Sequence, residues 1–205
     1  GGGRSVDFPN FFVKQYEYFH YIELCKVLRK NAIGLKARGV GFSEIAAAIL
    51  INGYITRPHF RGVVAAQQEG YVDDTLSKCW MQLSYLDDNT EDGMRKLRQV
   101  HNTAKWKRAS SKNVDGVESG WMSEIEGITA DKPNKIRGDR TDILMYEESG
   151  SWPNWKKAFI QGDALIDIQG QRFGIKLAWG TGGDSGPALE GVAAAFHDPK
   201  GYDVL

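Results

Sequence analysis

The sequence has few of the features that would place it in a specialised class of protein. Its 26 basic and 26 acidic residues cancel to zero net charge, which argues against a protein dedicated to coating nucleic acid. A local basic face remains compatible with that balance, because a few phosphate contacts suffice for non-specific DNA binding. No apolar run approaches the roughly 18 to 20 residues of a membrane span. The longest, residues 45–51, fits a core helix, so we expect no membrane partner.

Cysteine and histidine are also scarce. Cys25 and Cys79 lie far apart and lack the paired spacing of a zinc site. We interpret them as reduced thiols of a cytoplasmic protein. The four histidines likewise show no spacing typical of metal ligands.

What is present is a regular alternation of strand and helix patterns. It predicts an α/β fold with a mostly parallel central sheet flanked by helices. The 205 residues, of which 41% are hydrophobic, suit a single domain. The predicted strands are residues 31–35, 61–66, 123–129, 142–146 and 173–179. Helices are predicted at residues 44–52, 71–86, 152–160 and 187–197, and the polar residues 87–120 are predicted to leave the sheet as a mobile excursion.

A glycine-rich turn, KARGVGFS at residues 36–43, follows the first predicted strand and leads into a helix. Backbone N–H groups and a helix N-terminus then converge on one point, an arrangement that binds phosphate. Gly41 and Ser43 fit the standard phosphate loop, G-x-x-x-x-G-K-[ST], but Phe42 stands where the lysine belongs. Lys36 stands in place of the first glycine, and its side chain could reach the same phosphates from the opposite end of the loop. A simple strand-to-helix turn explains this segment equally well.

Two carboxylates, Glu147 and Glu148, follow the predicted strand DILMY. Four consecutive apolar residues indicate a strand buried on both faces, and its carboxyl end is where open α/β sheets bind ligands. One carboxylate can hold Mg²⁺ while its neighbour orients and activates a water molecule. The alternative is a helix whose first turn favours acidic residues.

A third motif, WGTGGD, closes the last predicted strand with Thr181 among glycines. A small polar residue there suits a sensor of water or phosphate, although an ordinary glycine-rich turn explains it as well. The three motifs occur in order and each ends a predicted strand. Together they predict a nucleotide hydrolase.

These motifs resemble those of the large terminase subunits of tailed bacteriophages, over nearly the whole chain. KARGVGFS is similar to that family's deviant phosphate loop, in which a lysine opens the loop and an aromatic residue replaces the usual lysine. Arg38 matches the arginine common in that loop. ILMYEESGSWPNWKKAF resembles the family's Walker B segment, and AWGTGGD resembles its coupling motif. Glu147 departs from the aspartate of many members, which implies a longer reach to Mg²⁺.

The resemblance implies a P-loop NTPase of the additional-strand catalytic-glutamate type that binds ATP and Mg²⁺. Ser43 and Glu147 would hold Mg²⁺, Glu148 would activate water, and Thr181 would couple hydrolysis to movement. The phosphate-binding residues would be Lys36, Ala37, Arg38, Gly39, Val40, Gly41, Phe42 and Ser43.

Two further roles follow from the resemblance. The family places its adenine pocket in the aromatic-rich start, here residues 1–30, where Gln15 with Tyr16 or Tyr18 would recognise adenine unless these rings are core. The family also places a trans-acting arginine before the Walker B strand, which here implies Arg137 or, alternatively, Arg140. A surface salt bridge from Arg137 to Asp139 or Asp142 is the structural alternative.

The implied activity is ATP hydrolysis that drives double-stranded viral DNA into a procapsid, in the host-cell cytoplasm at the portal. Expected partners are double-stranded DNA, the portal protein, the small terminase subunit and further copies in a homo-oligomeric ring. We expect residues 1–205 to be a single motor domain with the nuclease domain absent, since no suitable acidic cluster follows Asp184. The alternatives are a helicase-like DNA-stimulated ATPase and a non-hydrolysing nucleotide-binding or portal-docking module, against which the acidic pair argues.

Overall fold

A computed structural model of the protein describes residues 10–90, 99–102, 106–109, 112–114, 117–119, 122–130, 136, 140–181 and 191–205. The helices in these ranges are α1 (Val13–Leu28), α2 (Phe42–Thr56), α3 (Glu69–Asn89), α4 (Trp155–Gln161), α5 (Asp163–Ile166) and α6 (Val192–His197). The strands are β1 (Ala32–Leu35), β2 (Arg61–Ala66), β3 (Gln99–Asn102), β4 (Trp106–Ala109), β5 (Lys112–Val114), β6 (Val117–Ser119), β7 (Glu124–Thr129), β8 (Ile143–Tyr146), β9 (Asp167–Ile168), β10 (Gln171–Arg172) and β11 (Ile175–Gly180). Single 3-10 turns lie at Ser149–Ser151 and Lys200–Tyr202.

The main sheet has the strand order β1-β11-β8-β2-β7-β4-β3. Its first five strands are parallel, and β4 and β3 extend it in antiparallel orientation. The predicted α/β fold with a mostly parallel sheet is therefore confirmed. Strand β11 lies between β1, which leads into the glycine-rich turn, and β8, which leads into the acidic pair. That insertion is the additional strand of the predicted fold class.

Helices cover both faces of the sheet. Strands β8 and β11 are buried at every position and β2 at all but its first, as expected for parallel strands between helical layers. Helices α1, α2 and α3 pack on one face and α4, α5 and α6 on the other. Helix α2 packs against both α3 and β2, which explains why most of its residues are apolar.

Several predicted elements differ from the structure, and residues 187–190 of the last predicted helix lie outside the described residues. The predicted excursion was wrong in part, because residues 87–89 belong to α3 and residues 99–102 and 106–109 are sheet strands. Strand β4 pairs with the edge of β7 and β3 pairs with β4, both through backbone hydrogen bonds, and such pairing gives no hydropathy signal. The helix predicted from residue 152 begins at Trp155, after the 3-10 turn Ser149–Ser151 and a left-handed Asn154.

None of the described helices combines the length and apolar character needed to cross a membrane. Cys25 and Cys79 are both buried, and no disulfide joins them.

Candidate nucleotide-binding site

Three strand ends bring the sequence motifs together at one edge of the sheet. The strand register pairs Leu35 of β1 with Gly180 of β11, and Ala178 of β11 with Tyr146 of β8. Because these strands are parallel, the residues that follow each of them emerge at the same carboxyl edge. The glycine-rich turn, Thr181 and the acidic pair therefore surround one site.

The glycine-rich turn is fixed to the sheet at its first residue. The backbone N–H of Lys36 donates to the carbonyl oxygen of Gly180 at 3.0 Å. Gly39 and Gly41 have φ angles of 79° and 74°, in the left-handed region that glycine adopts without a Cβ clash. Gly41 is the residue before α2, so the helix N-terminus faces the turn. Arg38 is exposed and forms no ion pair with any other residue in the described ranges.

Gln15 connects the start of α1 to this turn. Its amide nitrogen donates to the carbonyl oxygen of Val40 at 3.1 Å, and its amide oxygen accepts from the backbone N–H of Phe12 at 2.9 Å. A Cβ on Gly41 would lie 2.8 Å from the Gln15 amide nitrogen, and the positive φ of Gly41 would strain any other residue there. Gln15 thus lies beside the predicted phosphate site, and its recognition of adenine stays a prediction.

Phe42 packs its ring under the turn. Its centroid lies 4.5 Å from that of Tyr18 in α1 and 6.4 Å from that of Trp179 in β11. A Cβ on Gly34 would lie 3.0 Å from the Phe42 ring, so the close packing also depends on that glycine. The position that carries lysine in the standard phosphate loop is therefore part of an aromatic contact between helix and sheet.

The Glu147 carboxyl is buried against the start of α2. The residue is 3% exposed, and its Oε1 accepts a hydrogen bond from the Ser43 hydroxyl at 2.8 Å. Oε2 is buried without a hydrogen-bond partner. Burial raises the pKa of this carboxyl to about 7, against the lowering effects of the Ser43 hydrogen bond and of the Lys36 charge. The protonated and ionised forms are thus both accessible near neutral pH.

Glu148 forms an ion pair with the displaced lysine. Lys36 Nζ lies 2.5 Å from Glu148 Oε1, and the two side chains are 10% and 24% exposed. The ammonium group therefore reaches across the turn to the acidic pair. The structure places Lys36, Ser43, Glu147 and Glu148 in one site.

The backbone turns sharply at Glu148. Its φ of 49° and ψ of 44° are left-handed, which costs a non-glycine residue about 1–2 kcal/mol. The Ser149 hydroxyl donates to the carbonyl oxygen of Tyr146 at 2.8 Å and supports the turn. A Cβ on Gly180 would lie 2.4 Å from the Gly150 nitrogen, so glycine is required there. Sequence reasoning missed Ser149 and Gly180, and their only signal is their position beside the predicted motifs.

The donor set at Ser43 and Glu147 fits a hard divalent cation. Mg²⁺ binds carboxylate and hydroxyl oxygens together with phosphate oxygens and water. The partnerless Oε2 of Glu147 is a buried acceptor beside the Ser43 hydroxyl. No cluster of three or more His, Cys, Asp or Glu with metal-binding geometry occurs within the described ranges.

Of the two candidate trans-acting arginines, the structure describes Arg140. Arg137 and Asp139 lie outside the described residues. Arg140 is exposed and has no ion-pair partner in the described part of the chain. Asp142 accepts a hydrogen bond from the backbone N–H of Arg61 at 2.8 Å, which ties the start of β8 to β2. The trans-acting arginine therefore stays a prediction.

Comparison with known proteins gives matches among solved structures alone. No protein-family description and no curated sequence matches the chain. The HK97 bacteriophage large terminase superposes with a TM-score of 0.64 over 96% of this chain, at 13% identity. The ATPase domain of the Thermus phage P74-26 large terminase matches with a TM-score of 0.55 over 73% of the chain, at 18% identity. The large terminase of a thermophilic bacteriophage, also solved with ADP, gives 0.57 over 84% at 13% identity.

This chain spans less than two thirds of the length of these proteins. It covers 58% of the P74-26 structure and 39% of each of the other two chains. At such low identity, the likeness concerns the fold. The chain therefore has the fold of the phage large terminases, including that of the P74-26 ATPase domain.

Proposed function

We propose that this chain is the motor domain of a large terminase, which hydrolyses ATP to translocate double-stranded viral DNA into a procapsid. Its proposed partners are DNA, the portal protein, the small terminase subunit and further copies of itself in a ring. The proposed location is the host-cell cytoplasm, at the procapsid portal.

One observation carries the proposal. Lys36 and Ser43, at the two ends of the glycine-rich turn, each contact one member of the acidic pair at the end of β8. A simple strand-to-helix turn has no need of two such contacts. A phosphate site needs both, because a cation and a metal-binding hydroxyl must face the carboxylates that serve the same phosphoryl group.

Each residue of the site has its own proposed role. Backbone N–H groups of residues 38–43 and the N-terminus of α2 would hold the phosphates, with Arg38 at the exposed rim. Ser43 and Glu147 would hold Mg²⁺, which neutralises phosphate charge when bound. Thr181, at the end of β11, would report the state of the nucleotide to the rest of the motor.

Glu148 would orient and deprotonate the attacking water. In the structure the Glu148 carboxylate is engaged by the Lys36 ammonium group instead of a water molecule. Triphosphate binding would offer Lys36 a more highly charged partner and release Glu148. The ion pair thus suits a site in which the base is freed when substrate arrives.

Phosphate release by the purified chain tests the proposal. We expect ATP hydrolysis that double-stranded DNA stimulates, with the Glu148→Gln chain as the control for contaminating ATPase. Stimulation by single-stranded DNA alone would favour a helicase-like enzyme. Release no faster than from the control, together with normal ATP binding, would favour the non-hydrolysing module.

A further inference from the structure

Three buried polar atoms without hydrogen-bond partners lie near the Glu147 carboxyl. They are Oε2 of Glu147 itself, the Tyr18 hydroxyl of α1 and the indole nitrogen of Trp179 in β11. The Trp179 indole N–H lowers the pKa of the Glu147 carboxyl, and the Glu147 charge acts on the Tyr18 hydroxyl, although less strongly than Tyr21 and Cys25 do. The ring of Phe42 bridges the other two rings. These atoms therefore belong to one environment beneath the glycine-rich turn.

Other buried side-chain atoms in the described ranges also lack a partner, including the indole nitrogens of Trp152 and Trp155. The large majority of buried side-chain polar atoms have a hydrogen-bond partner, and exceptions concentrate where function or an ordered water explains them. The chemistry of the three atoms is also complementary, since a hydroxyl and an indole N–H can donate and a carboxylate oxygen accepts. The Tyr18 hydroxyl is buried although the residue as a whole is partly exposed.

We propose that Tyr18 and Trp179 are positioning residues for the metal-binding carboxylate of Glu147. Their O–H and N–H groups donate to Oε2, directly or through one water molecule, and so keep Oε1 beside the Ser43 hydroxyl. Partners of this kind orient a metal-binding side chain and typically change metal affinity by about 10- to 100-fold. This inference deepens the proposed function and rests on it.

The arrangement also connects three parts of the fold to one side chain. Tyr18 belongs to α1, which holds the turn through Gln15, and Trp179 stands two residues before Thr181 in β11. The other charged groups that act on Glu147 are Lys36 from the turn and its neighbour Glu148. A shift of α1 or β11 would therefore change the orientation of the Glu147 carboxylate.

The first test needs no nucleotide. The indole N–H resonance of Trp179 is assigned among the six tryptophans by its loss in Trp179→Phe. Tyr18→Phe and Glu147→Gln should each shift this resonance. Tyr71→Phe, which removes a hydroxyl from an exposed tyrosine of α3, should not. An unmoved Trp179 resonance in both of the first two variants would overturn the inference.

The second test measures cation affinity through nucleotide binding. The Mg²⁺ concentration that half-saturates binding of a fluorescent ATP analogue should rise about 10-fold in Tyr18→Phe. Binding of the same analogue in EDTA, and thermal stability, should match the parent. Equal Mg²⁺ dependence in parent and variant would refute the positioning role. A parent that binds no nucleotide would refute the proposed function, and the indole resonance would still decide whether these side chains contact Glu147.

Discussion

Lys36 Nζ lies 2.5 Å from Glu148 Oε1, although the two residues belong to different strand ends of the sheet. Lys36 opens the glycine-rich turn, and Glu148 follows β8 in a left-handed backbone conformation. A lysine at the first position of the turn therefore reaches the acidic pair that follows β8. The predictions below begin with this pair.

Lys36 and Arg38 are the two candidate phosphate-binding side chains of the turn, and alanine variants distinguish them. Lys36→Ala should weaken ATP binding and lower turnover by on the order of 10² or more, because a phosphate-bound cation stabilises both ground and transition states. Arg38→Ala should have a smaller effect, since Arg38 is exposed and makes no ion pair within the described ranges. ATP affinity and phosphate release of the two variants decide the matter. Normal values in Lys36→Ala with both lost in Arg38→Ala would make Arg38 the phosphate ligand.

Restoring the standard lysine should not repair the site. Phe42→Lys in the Lys36→Ala background should recover little turnover, because a charge would enter the aromatic contact with Tyr18 and Trp179. Phe42→Leu in the parent is the matched control and should stay active, since it keeps the position apolar. Full recovery in the double variant would show that the Phe42 position faces the phosphates.

Glu148→Gln should bind ATP and fail to turn it over. The change keeps the shape of the side chain and removes the base, whose contribution is typically about 10² to 10⁴ in rate. Nucleotide affinity and steady-state phosphate release are the measurements, with the exposed Glu23→Gln of α1 as control. Turnover within a few-fold of the parent would assign the catalytic carboxylate elsewhere.

Arg137 should act on a neighbouring subunit. An arginine finger contributes roughly 10³ to 10⁵ in rate, so Arg137→Ala should lose assembly-stimulated turnover while keeping nucleotide affinity and the slow basal rate. Mixing Arg137→Ala with Glu148→Gln subunits should restore activity at interfaces that pair an intact arginine with an intact glutamate. Arg140→Ala tests the alternative arginine in the same assay. Mixed assemblies that stay inactive would indicate a role within one subunit.

The buried Glu147 carboxyl predicts a pH-dependent stability. Its pKa rises from 4.5 to about 7 on folding, so the folded state binds the proton more tightly than the unfolded state. The stabilisation from this proton is complete below about pH 4.5 and is lost as pH rises to about 7, on the order of 3 kcal/mol in all.

Glu147→Gln removes this titration. Relative to the parent, the variant should therefore gain free energy of unfolding between pH 5 and pH 8. Urea unfolding at both pH values in the absence of divalent cations provides the measurement. If parent and variant differ in free energy of unfolding by the same amount at pH 5 and at pH 8, folding does not shift the pKa of Glu147.

The sequence alone determined where the site lies. The apolar runs before Lys36, Glu147 and Thr181 specify buried strands, and parallel strands with intervening helices bring their carboxyl ends to one edge. Gly39 and Gly41 mark a turn that needs left-handed backbone angles. These features depend on residues close in sequence, so reading along the chain was enough to predict them.

Tertiary structure decided which side chains meet there. The pairing of Lys36 with Glu148 and of Ser43 with Glu147 depends on the register of β1, β11 and β8 and on the left-handed turn at Glu148. The contribution of Tyr18 depends on how α1 packs against the sheet. Such contacts arise between elements that are distant in sequence. Burial by these elements also raises the pKa of Glu147. Likewise, the polar segment that holds β3 and β4 joins the sheet through backbone hydrogen bonds, which no side-chain pattern records.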